Sequence, residues 1–259
     1  MDGKLHFALI GNKLSHSWSQ RWFEGQCRDR GLVDRDYALI ELDSLDTLRA
    51  VVAERRLRAF NVTIPYKCSI VPLLDELSPE AAAIGAVNVV EVLRNGDGTV
   101  RLYGRNTDAP AFMQTLSPLL RPWHRHALVL GTGGAAHAVA WALASLHIVF
   151  HFVSRTPART DELSYSDAVA LAADKANPAC PYLIVNATPV GMSGPPWQAC
   201  SPWPRPDLWS PRHLCYDLIY NPEQTLFLRQ ATAHGAATSN GLDMLHRQAH
   251  LSAFLTLAE

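Results

Sequence analysis

In LVLGTGGAAHAV, residues 128–139, Gly131, Gly133 and Ala136 keep a G-x-G-x-x-A spacing between an apolar run and an alanine-rich one. Glycines so spaced let backbone amides approach a pyrophosphate, and a helix starting there turns its positive end toward that charge. Dinucleotide binding is the chemistry implied; the alternative is a tight strand-to-helix turn with no ligand. The next apolar run ends on Ser154-Arg155-Thr156-Pro157-Ala158-Arg159. A carboxylate there would hold the ribose of NAD, whereas arginine accommodates the extra phosphate of NADP. These six residues hold two arginines and no carboxylate, so NADP(H) is the expected coenzyme, against the alternative of solvated arginines.

A second polar set stands in the N-terminal half: residues 15–19 (SHSWS), 61–67 (NVTIPYK), 85–88 (GAVN) and 106–108 (NTD). In open α/β sheets ligands sit at the carboxyl ends of strands, so these hydroxyls, amides and the pair Lys67 and Asp108 could converge on one small molecule. Each also has a plainer reading. Ser17 or Ser19 could cap a helix, Asn88 and Asn106 could make turns, and Lys67 with Asp108 could be a surface ion pair.

Positioning these residues requires strands and helices in alternation. HFALIG, DYALIEL and AFNVTIP read as strands, separated by helices from about Ser19 and over 45–54; after the turn-rich 94–98 the pattern restarts at His126. Downstream strands are HIVFHFVS, YLIVNAT and LCYDLIY, with a Pro/Trp-rich loop over 194–211 in which Trp197, Trp203 and Trp209 read as packing. Asn221-Pro222-Glu223 resembles a helix start and Gly235 a helix end; a last helix covers 242–257, its Leu242, Leu245, Ala249, Phe254 and Leu255 at helical spacing. The alternation predicts an α/β fold with largely parallel sheets and a domain boundary near Asp108.

Composition bounds the function. The 259 residues are 48% hydrophobic and 18% charged, ample for a filled core, and 23 Lys plus Arg against 24 Asp plus Glu leave a net charge of −1. That balance offers no general attraction to nucleic acid or an acidic membrane, so a small-molecule substrate is expected. Five scattered cysteines, no signal-like start and no uninterrupted span of membrane length predict a cytoplasmic protein. His147/His151 and His246/His250 lack an E-x-x-H pattern, and no metal site is expected.

Taken together, the motifs resemble shikimate dehydrogenases, which reduce 3-dehydroshikimate with NADPH in aromatic amino-acid (chorismate) biosynthesis. The likeness runs through HSWS (16–19), NVTIPYK, IGAVN (84–88), NTD, GTGGAA, SRTPAR (154–159), NATPVGM (186–192), DLIYNP (217–222) and NGLDMLHRQA (240–249). It implies that Lys67 is the catalytic proton carrier assisted by Asp108, and that Ser17, Ser19, Thr63, Asn88, Asp108 and Gln248 contact the ring acid, with Tyr220 nearby. On the coenzyme side it implies that Gly131, Thr132, Gly133, Gly134, Ala135 and Ala136 hold the pyrophosphate, that Ser154, Arg155, Thr156 and Arg159 hold the 2′-phosphate, and that Gly241 and Met244 lie by the nicotinamide. The implied fold is an open-sheet substrate domain, 1–107 with 241–259, plus a Rossmann-like dinucleotide-binding domain, 108–240, in a monomer or homodimer.

Departures from the family pattern are Lys13 and Gln20 in place of prolines, Ala109-Pro110-Ala111 after NTD, His137, and Ser154 in place of asparagine. Pro110 fixes its own φ and restricts Ala109, so a hinge there is expected to move differently. Two further functions stay open: a paralogue acting on quinate or another hydroxylated ring acid, and a non-catalytic dinucleotide-binding regulator. The latter needs neither Lys67 nor Asp108.

Overall fold

The computed structural model describes residues 4–14 and 17–257, with side chains through Ser252. His16 of the HSWS motif, and the side chains of Phe254 and Leu255, lie outside the described set. The chain divides into two compact units, one formed by residues up to Thr107 and from Gln248 onward, the other by Asp108–Arg247.

In the first unit the elements run β1 (Leu5–Gly11), α1 (Ser19–Asp29), β2 (Arg35–Glu41), α2 (Leu48–Glu54), β3 (Leu57–Val62), α3 (Tyr66–Ser69), β4 (Glu76–Leu77), α4 (Pro79–Ile84), β5 (Val89–Arg94) and β6 (Val100–Arg105). They form one sheet in the order β2-β1-β3-β5-β6-β4. β1 pairs parallel with β2 and β3. The sheets are largely parallel as expected, with β5 the exception: it runs antiparallel to both β3 and β6. For β6 the reason is local: β5 and β6 are joined by five residues, Asn95–Thr99, closed by Asn95 N–H to the Thr99 carbonyl, and so short a link permits only a hairpin. Alternate residues of the strands, among them Ala8, Ile10, Phe60, Val62, Val90 and Val92, fill a core with Leu48 and Val52 of α2.

The second unit contains α5 (Asp108–Leu116), β7 (His126–Leu130), α6 (Gly134–Ser145), β8 (Val149–Ser154), β9 (Glu162–Ser164), α7 (Tyr165–Ala173), β10 (Leu183–Asn186), β11 (Leu214–Asp217), α8 (Leu226–Ala233), β12 (Ala237–Ser239) and the start of α9 (Leu242–Leu257). All strand pairs here are parallel, in the order β12-β11-β10-β7-β8-β9. Strand order reverses between β7 and β10, and such a switch point opens a crevice at the carboxyl ends of the strands. β7, β10 and the following strand ends are therefore where a ligand fits.

Two local expectations are corrected, for the start of α8 and for His147. The helix expected at Asn221-Pro222 begins instead at Leu226, capped by Thr225, whose hydroxyl accepts from Leu228 N–H and donates to the buried Asp217. That cap outcompetes the proline because it satisfies two buried groups at once. Pro110 falls in the first turn of α5, where an amide has no intrahelical partner, so it is accommodated within the helix. His147 lies in the turn before β8, so only His151 of that pair is on the strand. Trp203 and Trp209 are buried, and the Trp209 ring meets Phe227 edge-on at 5.6 Å.

Candidate active site

On the second unit the turn after β7 is built from backbone. Gly131 has φ +103°, and a Cβ there would press within 3.0 Å of the Thr188 side chain beyond β10. Its N–H donates to the Val153 carbonyl at 2.9 Å, locking the turn to β8. Gly133 differs: it caps α6 with φ −84°, and a Cβ would meet nothing within 4 Å. Nothing in the fold needs glycine at 133, so the space before it is room for a ligand that must come close to the backbone. Thr132 and Gly133 are exposed, Gly134 and Ala135 half-buried, and Ala136 fully buried where α6 meets the sheet. A pyrophosphate fits this cradle of amides at a helix start.

The loop after β8 is preformed by its own hydrogen bonds. Ser154 Oγ accepts from Thr156 N–H, Glu162 accepts from Ala158 N–H at 2.8 Å, and Glu162 N–H donates to the Arg159 carbonyl. Arg155, Thr156 and Arg159 are all exposed. Arg159 is held in a two-point fork by Asp161, at 2.9 and 2.7 Å, so the loop holds a carboxylate just beyond the six residues first read.

Asp217 ends β11, fully buried, and accepts from Asn186 Nδ2, Ile219 N–H and the Thr225 hydroxyl. Burial outweighs these bonds and pushes its carboxyl up to about 6. It thereby ties the NAT and DLIYNP segments together beside Tyr220, a half-buried phenol raised by burial. Gly241 is the tightest position: a Cβ would lie 2.0 Å from the Leu218 carbonyl oxygen, while its N–H donates to Ile219 O. Met244 is buried in the first turn of α9, and Asp108 is the buried first residue of α5, which removes the surface ion-pair reading for it.

On the first unit the candidate residues are side chains tied to one another. Lys67 rides on α3, directly after the strand end, and its carbonyl accepts from Val87 N–H at 2.7 Å, joining the lysine turn to the GAVN segment. Asn88 is buried: its Nδ2 donates to Thr107 Oγ1 and its Oδ1 accepts from Thr107 N–H, both at 2.8 Å. Asn106 Nδ2 donates to the Ala86 carbonyl at 2.9 Å. Thr107 Oγ1 in turn reaches the Gln248 carbonyl and Ser252 Oγ on α9. The GAVN segment, Asn106 and Thr107, and the stretch of α9 from Gln248 to Ser252 thus form one connected block, in which Asn88 is buried and Gln248 half-buried, with half-buried Thr63 following β3.

Ser17 Oγ accepts from Ser19 N–H at 3.2 Å, a local turn bond that leaves its own proton to offer outward. The phenol of buried Tyr37 donates to Asn61 Oδ1 at 2.8 Å. Asn61 Nδ2 continues to the Asn88 carbonyl. Asn61 belongs to the polar set read from sequence, but Tyr37 does not; the tyrosine reads as an apolar strand position, and only the register of β2, β1 and β3 brings it to Asn61.

A family model described as the shikimate dehydrogenase substrate binding domain matches residues 9–90. Shikimate dehydrogenase (NADP(+)) of Syntrophomonas wolfei is 37% identical over 265 residues, covering 97% of this chain and 89% of the relative. The chain belongs to the shikimate dehydrogenase family. Among solved structures, shikimate dehydrogenase 1 of Peptoclostridium difficile has a TM-score of 0.82 at 31% identity, covering 98% of this chain and 92% of that one. Shikimate 5-dehydrogenase of Thermus thermophilus in complex with NADP(H) and shikimate gives 0.80 at 34%, covering 98% and 94%. The α/β fold, an open-sheet unit plus a Rossmann-like unit, is the one these family members share. Among the described residues, no helix is long and apolar enough to cross a membrane, and no group of three His, Cys, Asp or Glu side chains is placed to hold a metal ion.

Proposed function

We infer that this chain is an oxidoreductase catalysing the reversible NADP-dependent reduction of 3-dehydroshikimate to shikimate, the step of chorismate biosynthesis that its relatives are named for. The observation that carries the reading is 37% identity over 97% of the chain to a family member named for that reaction, with Lys67 held on the turn after β3. NADPH supplies the hydride when bound. Lys67 donates the proton to the oxygen of the reduced ring carbon, so ketone, hydride and proton give the alcohol; in reverse the lysine takes that proton back. Asp108 assists Lys67. Ser17 and Ser19 hold the substrate carboxylate, Thr63, Asn88, Asp108 and Gln248 hold the ring hydroxyls, and Tyr220 lies nearby.

In the same reading the first unit is the substrate domain and the second the NADP domain. The pyrophosphate lies on Gly131–Ala136, the 2′-phosphate near Ser154, Arg155, Thr156 and Arg159, and the nicotinamide by Gly241 and Met244. The protein works in the cytoplasm as a monomer or homodimer, on a small molecule and not on nucleic acid. Coenzyme reduction by purified protein, with shikimate and quinate each offered with NADP and NAD, tests this. Shikimate with NADP should have the highest kcat/KM. A preference for quinate would make the chain a paralogue, and no turnover with any pair would make it a regulator.

A further inference from the structure

Four charges meet at the loop after β8: Arg155, Arg159, Asp161 and Glu162, whose carboxylate is taken up by Ala158 N–H. Arg159 commits Nε and Nη2 to the two carboxylate oxygens of Asp161, whereas Arg155, at the other end of the loop, makes no ion pair among the described residues. The loop fixes this arrangement, because Ala158 N–H donates to the Glu162 carboxylate and Glu162 N–H donates to the Arg159 carbonyl, closing a turn around Asp161. A 2′-phosphate arriving here meets one uncompensated guanidinium, at Arg155, and one already neutralised by a carboxylate that also repels the incoming dianion.

We propose that Asp161 is a specificity-determining residue that weakens NADP binding by neutralising Arg159, so that Arg155 carries most of the discrimination between NADP and NAD. This rests on the reading of the loop as the 2′-phosphate end of the coenzyme. Both partners are partly open to water, with side-chain exposures of 57% for Arg159 and 37% for Asp161. Screening therefore limits the carboxylate to a several-fold effect and makes that effect shrink as salt rises. Asp161→Asn keeps an oxygen acceptor for Arg159 while removing the charge, which separates charge from geometry.

Calorimetric titration of the folded variants with adenosine 2′,5′-bisphosphate, with 5′-AMP as control, tests this without turnover. Arg155→Ala should weaken the bisphosphate at least about tenfold, the loss of one charge-assisted contact. Arg159→Ala should cost no more than about threefold in the native background, the size of an exposed, compensated charge. Asp161→Asn should tighten binding about three- to tenfold at low salt. In that background Arg159→Ala should now cost about tenfold, a coupling that only neutralisation by Asp161 produces. 5′-AMP should bind all the variants alike. The proposal is overturned if Arg159→Ala costs as much as Arg155→Ala in the native protein, or if Asp161→Asn weakens binding or leaves it unchanged. Indifference of bisphosphate binding to both arginines would instead remove the phosphate reading of the loop, and the proposal with it.

Discussion

The two units bury polar groups of different kinds. Among the described residues, the buried polar side chains of the first are Ser78, Asn88, Asn106, Thr107 and Ser252, all neutral; the second buries Asp108, His124, His213 and Asp217 beside Thr115, Asn186 and Thr225. Their candidate half-sites differ in the same sense. The substrate side is an array of side chains that tie segments together through amides and hydroxyls, whereas the coenzyme side is mainly backbone, shaped by what glycine leaves out. Deleting a side chain should therefore damage the first half-site, and adding one should damage the second.

The largest effect should come from Lys67→Ala, which removes the proposed proton carrier from an otherwise intact first unit. Positioned proton transfer contributes about 10² to 10⁴ in rate, so kcat should fall by that factor while the coenzyme Kd holds. Near-normal turnover would take Lys67 out of the proton path.

Buried charge should also make the second unit the pH-sensitive one. Asp217 keeps its proton up to about pH 6 in the fold, against a reference of 3.8, so between those values the folded state binds more protons and stability falls as pH rises. The span corresponds to about 3 kcal/mol. His213 acts in the opposite direction: burial first, then nearby Lys175, depress it to about 4 from 6.5, so its contribution is present above 6.5 and is lost as pH falls toward 4. The two slopes oppose each other between about pH 4 and 6. Asp217→Asn should expose a rise in stability with pH of about 3 kcal/mol, and His213→Asn a fall of similar size. Urea unfolding of the three proteins at several pH values compares them, and superimposable profiles would contradict the contrast between the units.

Gly133→Val tests the backbone half-site. The added Cβ meets open space in the fold, so the unfolding free energy should fall by no more than about 1 kcal/mol, the loss of a good capping residue at the start of α6. Coenzyme Kd should rise at least about tenfold, because the amides can no longer approach the pyrophosphate. A large loss of stability with coenzyme affinity retained would reverse the assignment.

The smallest effect should separate the two serines. Ser17→Ala removes a hydroxyl whose proton is not used in its turn bond, and should raise shikimate KM about tenfold, as a hydrogen bond to a charged group implies. Ser19→Ala leaves in place the Ser19 N–H that holds Ser17 Oγ, and should raise KM less. The reverse order would mean that Ser19, not Ser17, makes the stronger contact with the carboxylate.

Legibility in the sequence follows the same divide. Strands β1, β2, β3, β7, β8, β10 and β11 stand out as apolar runs, and the glycine turn is visible because backbone requirements leave a residue-type signature. Strands β4, β9 and β12 are two or three residues long and carry no periodicity to read. The β5–β6 hairpin shows only its turn, since Glu91, Arg101 and Arg105 interrupt the apolar pattern. Asp161 was hidden because pairing with Arg159 depends on loop closure and not on spacing. Thr225 was overlooked in favour of Pro222 because the buried carboxylate it satisfies becomes evident only in three dimensions.

Gly241 carries a warning for any mutational scan. Its family resemblance places it by the nicotinamide, yet a single added methyl would collide with the Leu218 main chain before any coenzyme arrived. A screen scored on turnover would register position 241 as catalytic and 133 as its equal. A screen scored on the amount of folded protein would part them, with 241 absent from the survivors and 133 among them.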